Sequence, residues 1–113
     1  MTDLPAIIRE IRDQLADQFH PQRILLFGSW AKGTQAPRSD IDVLVVTTLA
    51  VPPDRQALAR ALFYDYPTKV DVLFCTTEYL RTEGRRSHSF LHAISKQPVT
   101  LYEVHCQERE SVP

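Results

Sequence analysis

Ile7, Ile8, Ile11, Leu15 and Phe19 recur at intervals of three and four, with Arg9, Glu10, Asp13 and Asp17 between them. That period predicts an amphipathic helix over residues 4–19. Thr2 or Asp3 stands where a cap is wanted, Pro5 is tolerated in a first turn, and His20-Pro21 stops the helix. The pattern then changes to a short, continuously apolar run at 23–27, closed by Gly28, which suits a buried strand. Ser29-Trp30-Ala31-Lys32 can form a turn or two of helix ended by Gly33, and residues 34–39 read as a loop.

Residues 41–47 carry the strongest strand pattern in the chain, rich in Val and Leu. Pro52-Pro53-Asp54 breaks the chain and opens a helix that runs to about residue 63, with Leu58, Ala61 and Leu62 expected on its inner face. A turn at 64–67 leads into an alternating strand at 69–75. Helical stretches at 77–80 and 87–95 flank a polar segment around Gly84-Arg85-Arg86, and a short strand follows at 99–102. Residues 104–113 have no period and read as a polar tail. This order predicts one α+β domain over residues 1–103, a mixed sheet of about four strands flanked by helices. The strands need not all be parallel, because only some connections are long enough to cross over.

Composition narrows the possibilities. The chain has 113 residues, 43% apolar and 24% charged, which is ordinary for one folded domain and unlike a disordered segment. Thirteen basic and fourteen acidic residues give a net charge of −1, so the excess of positive charge expected of a general nucleic-acid binder is missing. No apolar run approaches the roughly 20 residues of a membrane span, and the first residues lack the pattern of a secretory signal. Cys75 and Cys106 share no metal-ligand spacing and read as free thiols of a cytoplasmic protein with no membrane partner.

Three acidic residues stand where carboxylates are expensive. Asp40 and Asp42 flank Ile41 at the mouth of the second strand, so they share a face with Cα atoms about 7 Å apart. Asp71 lies inside the apolar run of the third strand, where a lone charge is costly to bury. If those two strands are neighbours, Asp71 joins the pair. No basic residue directly adjoins these carboxylates in sequence, and together they call for a hard cation such as Mg²⁺. Asp40 alone reads equally well as a turn residue or cap, and Asp42 as a half-exposed strand residue. The combination with Asp71 is what carries the metal-site reading.

Phe27-Gly28-Ser29 forms a second element at a strand-to-helix junction. Gly28 allows close approach to the backbone, the first N–H groups of a following helix point toward an anion, and the Ser29 hydroxyl adds a donor. Glycine after a strand is usually only a turn. Here its position, just upstream of the carboxylates, pairs a phosphate cradle with a cation site at one end of a sheet.

These residues resemble a family. Leu26-Phe27-Gly28-Ser29-Trp30-Ala31-Lys32-Gly33, then Ser39-Asp40-Ile41-Asp42-Val43-Leu44-Val45, then Val70-Asp71-Val72 is similar to the minimal nucleotidyltransferases of the DNA polymerase β-like superfamily. The resemblance covers residues 5–103 and implies the nucleotidyltransferase fold. It further implies that Gly28 and Ser29, with Lys32 and Ser39, bind the nucleotide triphosphate. It implies that Asp40, Asp42 and Asp71 are catalytic and hold two Mg²⁺ ions, with ATP as substrate. Lys32 stands where Arg is common and lacks its bidentate fork.

No second domain is evident to hold an acceptor. In this the chain resembles the antitoxins of HEPN/MNT toxin–antitoxin pairs, which implies transfer of AMP from ATP to a tyrosine hydroxyl of a HEPN ribonuclease toxin, with no direct contact to nucleic acid. A non-catalytic module that blocks a toxin sterically is the alternative, followed by a small-molecule nucleotidyltransferase. His88 and His92, four apart on an expected helix, have no Glu or Cys partner nearby and read better as a solvated face than as metal ligands. Arg81, Arg85 and Arg86 form a small basic cluster, and Trp30 suits either core packing or a cover over the nucleotide.

Overall fold

A computed structural model describes residues 5–28, 40–83 and 99–104. In chain order these form α1 (Ala6–Phe19), β1 (Arg23–Phe27), β2 (Ile41–Thr47), α2 (Pro53–Leu62), β3 (Val70–Thr76), α3 (Thr77–Glu83) and β4 (Val99–Glu103). The strands make one sheet in the order β3-β2-β1-β4. β1 runs antiparallel to β2 and to β4, whereas β2 and β3 are parallel. The mixed sheet expected from the connection lengths is therefore present. α2 lies in the crossover between the two parallel strands, the role for which a helix is the usual solution.

β1 and β2 are the inner strands, which explains why both read as unbroken apolar runs instead of alternating ones. One face of the sheet presents Ile24, Leu26, Ile41, Val43, Val45 and Val72, which pack with Ile8, Ile11 and Leu15 of α1 and with Ala59 and Phe63. Each such side chain contributes about 1.5–3 kcal/mol on burial. The opposite face carries a smaller cluster of Leu25, Leu44 and Val46, against which Phe27, Leu73, Cys75 and Leu80 pack.

Local contacts set the ends of α1, and the phase of α2 differs from the sequence expectation. α1 is preceded by Pro5, whose carbonyl accepts the Ile8 and Arg9 amides at 3.0 and 3.1 Å; Thr2 and Asp3 were the expected caps. Those two residues lie outside the described residues. His20 closes the helix in the left-handed conformation, φ 46°, and donates its N–H to the Ala16 carbonyl. α2 is rotated from its expected phase: Ala59 and Phe63, four apart, are buried, while Leu58 and Ala61 face solvent and Leu62 is half-buried. The Phe63 ring has the most apolar surface to hide and sets that phase, with its edge against Tyr66 at a centroid distance of 5.1 Å.

β3 passes directly into α3, longer than the expected 77–80. The Thr76 hydroxyl accepts the Tyr79 amide at 3.0 Å as an N-cap. At the far end of the chain Val104 donates its N–H to the Gln22 carbonyl at 2.9 Å. The segment expected to be a tail thus still touches the sheet at its first residue. The expected helix at 87–95 lies outside the described residues.

Candidate active site

Asp42 is the second residue of β2, opposite Phe27 of β1 on one side and Asp71 of β3 on the other. Alternation along the strands puts Asp42 and Asp71 on the sheet face of Leu44, Leu73 and Cys75, at the end where β1 finishes and β2 and β3 begin. The sequence left the neighbourhood of β2 and β3 open. The parallel register settles it by pairing the two carboxylates side by side.

The cost of that pairing is visible at Asp42, whose pKa is raised above the ordinary 3.8. Burial is the largest cause, followed by the negative charge of Asp71, a hydrogen bond to Asp71 that favours the protonated form, and the more distant charge of Asp40. Lys69 acts in the opposite sense. Its Nζ lies 3.9 Å from Asp71 Oδ1. Sequence reading missed Lys69, although its place two residues before Asp71, hence on the same face of the strand, was the available signal.

Gly28 closes the other side. Its φ is +83°, a conformation that side chains rarely adopt, and a Cβ there would come within 2.7 Å of Asp42 Oδ2. Glycine at this position does two things: it turns the chain at the end of β1 and it leaves open the space beside the Asp42 carboxylate.

Of the expected site residues, the structure thus brings together Gly28, Asp42 and Asp71. Asp40 is exposed just before β2 and reaches Asp42 only through its longer-range field. Among the described residues no three His, Cys, Asp or Glu side chains converge as a metal-binding group. Asp42 and Asp71 form a pair across the register, and the third expected carboxylate, Asp40, lies at its margin. An all-oxygen donor set with two abutting carboxylates suits a hard divalent cation, which would relieve the repulsion recorded at Asp42. Ser29, Trp30, Lys32, Ser39, His88, His92, Arg85, Arg86 and Cys106 lie outside the described residues. Arg81 is exposed in the last turn of α3. Cys75 is half-buried, and burial pushes its thiol up to about 11, which makes it inert.

A cavity of about 380 Å³ lies elsewhere, among Phe19, His20, Thr47, Leu49 and Arg55. Thr47 ends β2, roughly 17 Å along the strand from Asp42, so this cavity is remote from the carboxylates.

Residues 8–93 match the family described as nucleotidyltransferase domain. The chain belongs to this family. In this nucleotidyltransferase domain Asp42 and Asp71 lie on adjacent strands of the sheet, with Gly28 just past the end of β1. It is 38% identical over 45 residues to a candidate protein adenylyltransferase of Methanocaldococcus jannaschii, a match spanning 40% of this chain and 45% of that protein's length. Among solved structures, a mutant of the MntA–HpeT toxin–antitoxin complex has a chain 28% identical, with a TM-score of 0.62, covering 96% of this chain and 80% of that one. A Shewanella oneidensis complex of tri-AMPylated HEPN toxin with MNT antitoxin superposes with a TM-score of 0.55 at 20% identity, covering 91% of this chain and 73% of that one. At that identity the likeness speaks for the nucleotidyltransferase fold. Among the described residues no helix is long and apolar enough to cross a membrane.

Proposed function

We propose that the chain is an antitoxin that transfers AMP from ATP to a tyrosine hydroxyl of a partner HEPN toxin. The observation that carries the reading is the juxtaposition of Asp42 and Asp71 across the parallel register, beside a glycine that keeps the adjoining space open. Such an arrangement serves phosphoryl-type transfer, in which the protein supplies position and charge neutralisation more than covalent chemistry. The HEPN partner and the AMPylation come from the structural neighbours named above, and the protein substrate from the archaeal relative.

In this reading residues 1–103 form the catalytic domain and 104–113 a tail. Asp42 and Asp71, with Asp40 at their margin, would hold divalent cations, Mg²⁺ in the cell. When bound, such cations neutralise phosphate charge and lower the pKa of an attacking hydroxyl. The Gly28 turn admits the triphosphate close to the backbone, and Ser29, Lys32 and Ser39 contribute donors to it. The tyrosyl oxygen forms a bond to the α-phosphorus, the bond to the bridging oxygen breaks, and pyrophosphate leaves. In this reading the hydroxyl proton passes to Asp71, the carboxylate that lies across the register from Asp42. Docking of the partner sets the acceptor in line.

The test is to mix the chain with its toxin, Mg²⁺ and ATP and weigh the toxin by mass spectrometry. One or more AMP additions are expected, lost when Asp40→Ala and Asp42→Ala are combined. A toxin of unchanged mass that is nevertheless silenced would replace this reading with steric inhibition.

A further inference from the structure

Lys69 precedes β3, and its carbonyl accepts the Ile41 amide at 2.8 Å. The parallel register pairs Ile41 with Val70 and Asp42 with Asp71. Continued one residue back, it sets Lys69 opposite Asp40. The Lys69 ammonium reaches forward to 3.9 Å from Asp71 Oδ1 and its charge is felt at Asp42. A single cation on a backbone-anchored stem thus lies beside Asp71, within electrostatic reach of Asp42, and across the extended register from Asp40. The stem itself is 70% exposed, so the ammonium has room to leave.

We propose that Lys69 is an internal counter-ion that occupies the cation's place among Asp40, Asp42 and Asp71 in the nucleotide-free protein and moves to the triphosphate on loading. The inference rests on the carboxylate–metal reading given above. A divalent cation and the ammonium compete for Asp71, and two positive charges there repel. A lysine suits the exchange because its ammonium is a compact, hydrated point charge on a flexible chain, whereas an arginine fork would hold its carboxylate more rigidly. Displaced from Asp71, the ammonium stays tethered at the same end of the sheet as the Gly28 turn, one strand away across β2. Lys69 is therefore a positioning residue. It keeps the pair from spreading when empty, discourages cation binding without nucleotide, and adds positive charge when nucleotide comes.

The signature is two effects of opposite sign in one variant. Mn²⁺ binding, followed by the electron paramagnetic resonance signal of the free ion, should tighten about fivefold in Lys69→Gln without nucleotide, an effect that fades at high salt. Binding of ATP without divalent cation, measured by calorimetry, should weaken by a similar factor. Lys69→Arg, which keeps the charge and grips Asp71 more firmly, should not tighten Mn²⁺ binding. Introduced into both the parent and the Lys69→Gln variant, Asp71→Asn should abolish the difference in Mn²⁺ affinity between them.

A merely structural role would move both affinities in the same direction. Equal or weaker Mn²⁺ binding in Lys69→Gln overturns the proposal and leaves the metal reading standing. Mn²⁺ binding that survives unchanged when Asp42→Asn and Asp71→Asn are combined overturns both.

Discussion

Gly28 and Asp42 stand so close that a single added methyl group on the glycine would lie 2.7 Å from Asp42 Oδ2. Together with the glycine's φ of +83°, this makes Gly28→Ala costly twice over. We expect a loss of about 1–3 kcal/mol in chemical denaturation, with ATP binding lost in the fraction that remains folded. A variant of parental stability and affinity would show that the contact is freely relaxed.

Asp42 gives a pH dependence with a definite sign. Its folded-state pKa lies above 3.8, because burial and the Asp71 charge disfavour the carboxylate, so ionisation works against the fold. The stability contributed by the protonated group is fully present below 3.8 and is lost as pH rises through the shifted value. Asp42→Asn removes that loss. It should raise stability at neutral pH, modestly because the group is partly solvent-exposed, and by nothing below pH 3.8. Thermal melts of both proteins across this range decide it, and an acid-side gain would reverse the assignment.

Cys75 should be a poor nucleophile. With its thiol pushed up to about 11, roughly 0.1% is thiolate at pH 8. Disulfide-exchange labelling of a Cys106→Ser variant should proceed far more slowly than in the same protein unfolded. Equal rates would mean that the thiol is neither buried nor shifted.

Phe63 carries a mechanical load disproportionate to its place in a turn. It is 4% exposed and joins α2 to the core just before the chain leads into β3. Phe63→Ala should cost about 3–5 kcal/mol. Because the segment behind Phe63 delivers Asp71, metal affinity should fall with stability under conditions where the variant is only partly folded.

The strands were legible because their signal is redundant. Ile41–Thr47 is apolar, β-branched and buried on both faces, and its limits agree with the sequence reading, as do those of Arg23–Phe27. The phase of α2 was not legible. A short helix with Leu58, Ala59, Ala61, Leu62 and Phe63 offers two apolar faces, and the choice between them falls to Phe63, which lies just beyond the helix end. The residues of the site could be named from spacing, but their geometry could not. That Asp42 faces Asp71 depends on a parallel register across a helical crossover, information that no local pattern contains. Lys69 escaped notice because a lysine at a strand start looks like ordinary solvation until the acids around it are placed.

The parallel pairing of β2 with β3 also governs when the site comes into being. β1 and β2 pair antiparallel, whereas Asp71 reaches Asp42 only after the chain has passed through α2 and returned to lie alongside β2 in parallel. Loop-closure entropy must be spent before that pairing gives anything back, so the carboxylate pair depends on a non-local contact of the chain. Among the described residues β3 is also an edge strand, and such strands exchange amide protons and open locally at lower cost than strands inside a sheet. A chain locally frayed at this edge therefore keeps most of its helix-packed core while lacking the carboxylate pair. Competence for chemistry then reports on the completion of the sheet and not on the mere presence of the fold.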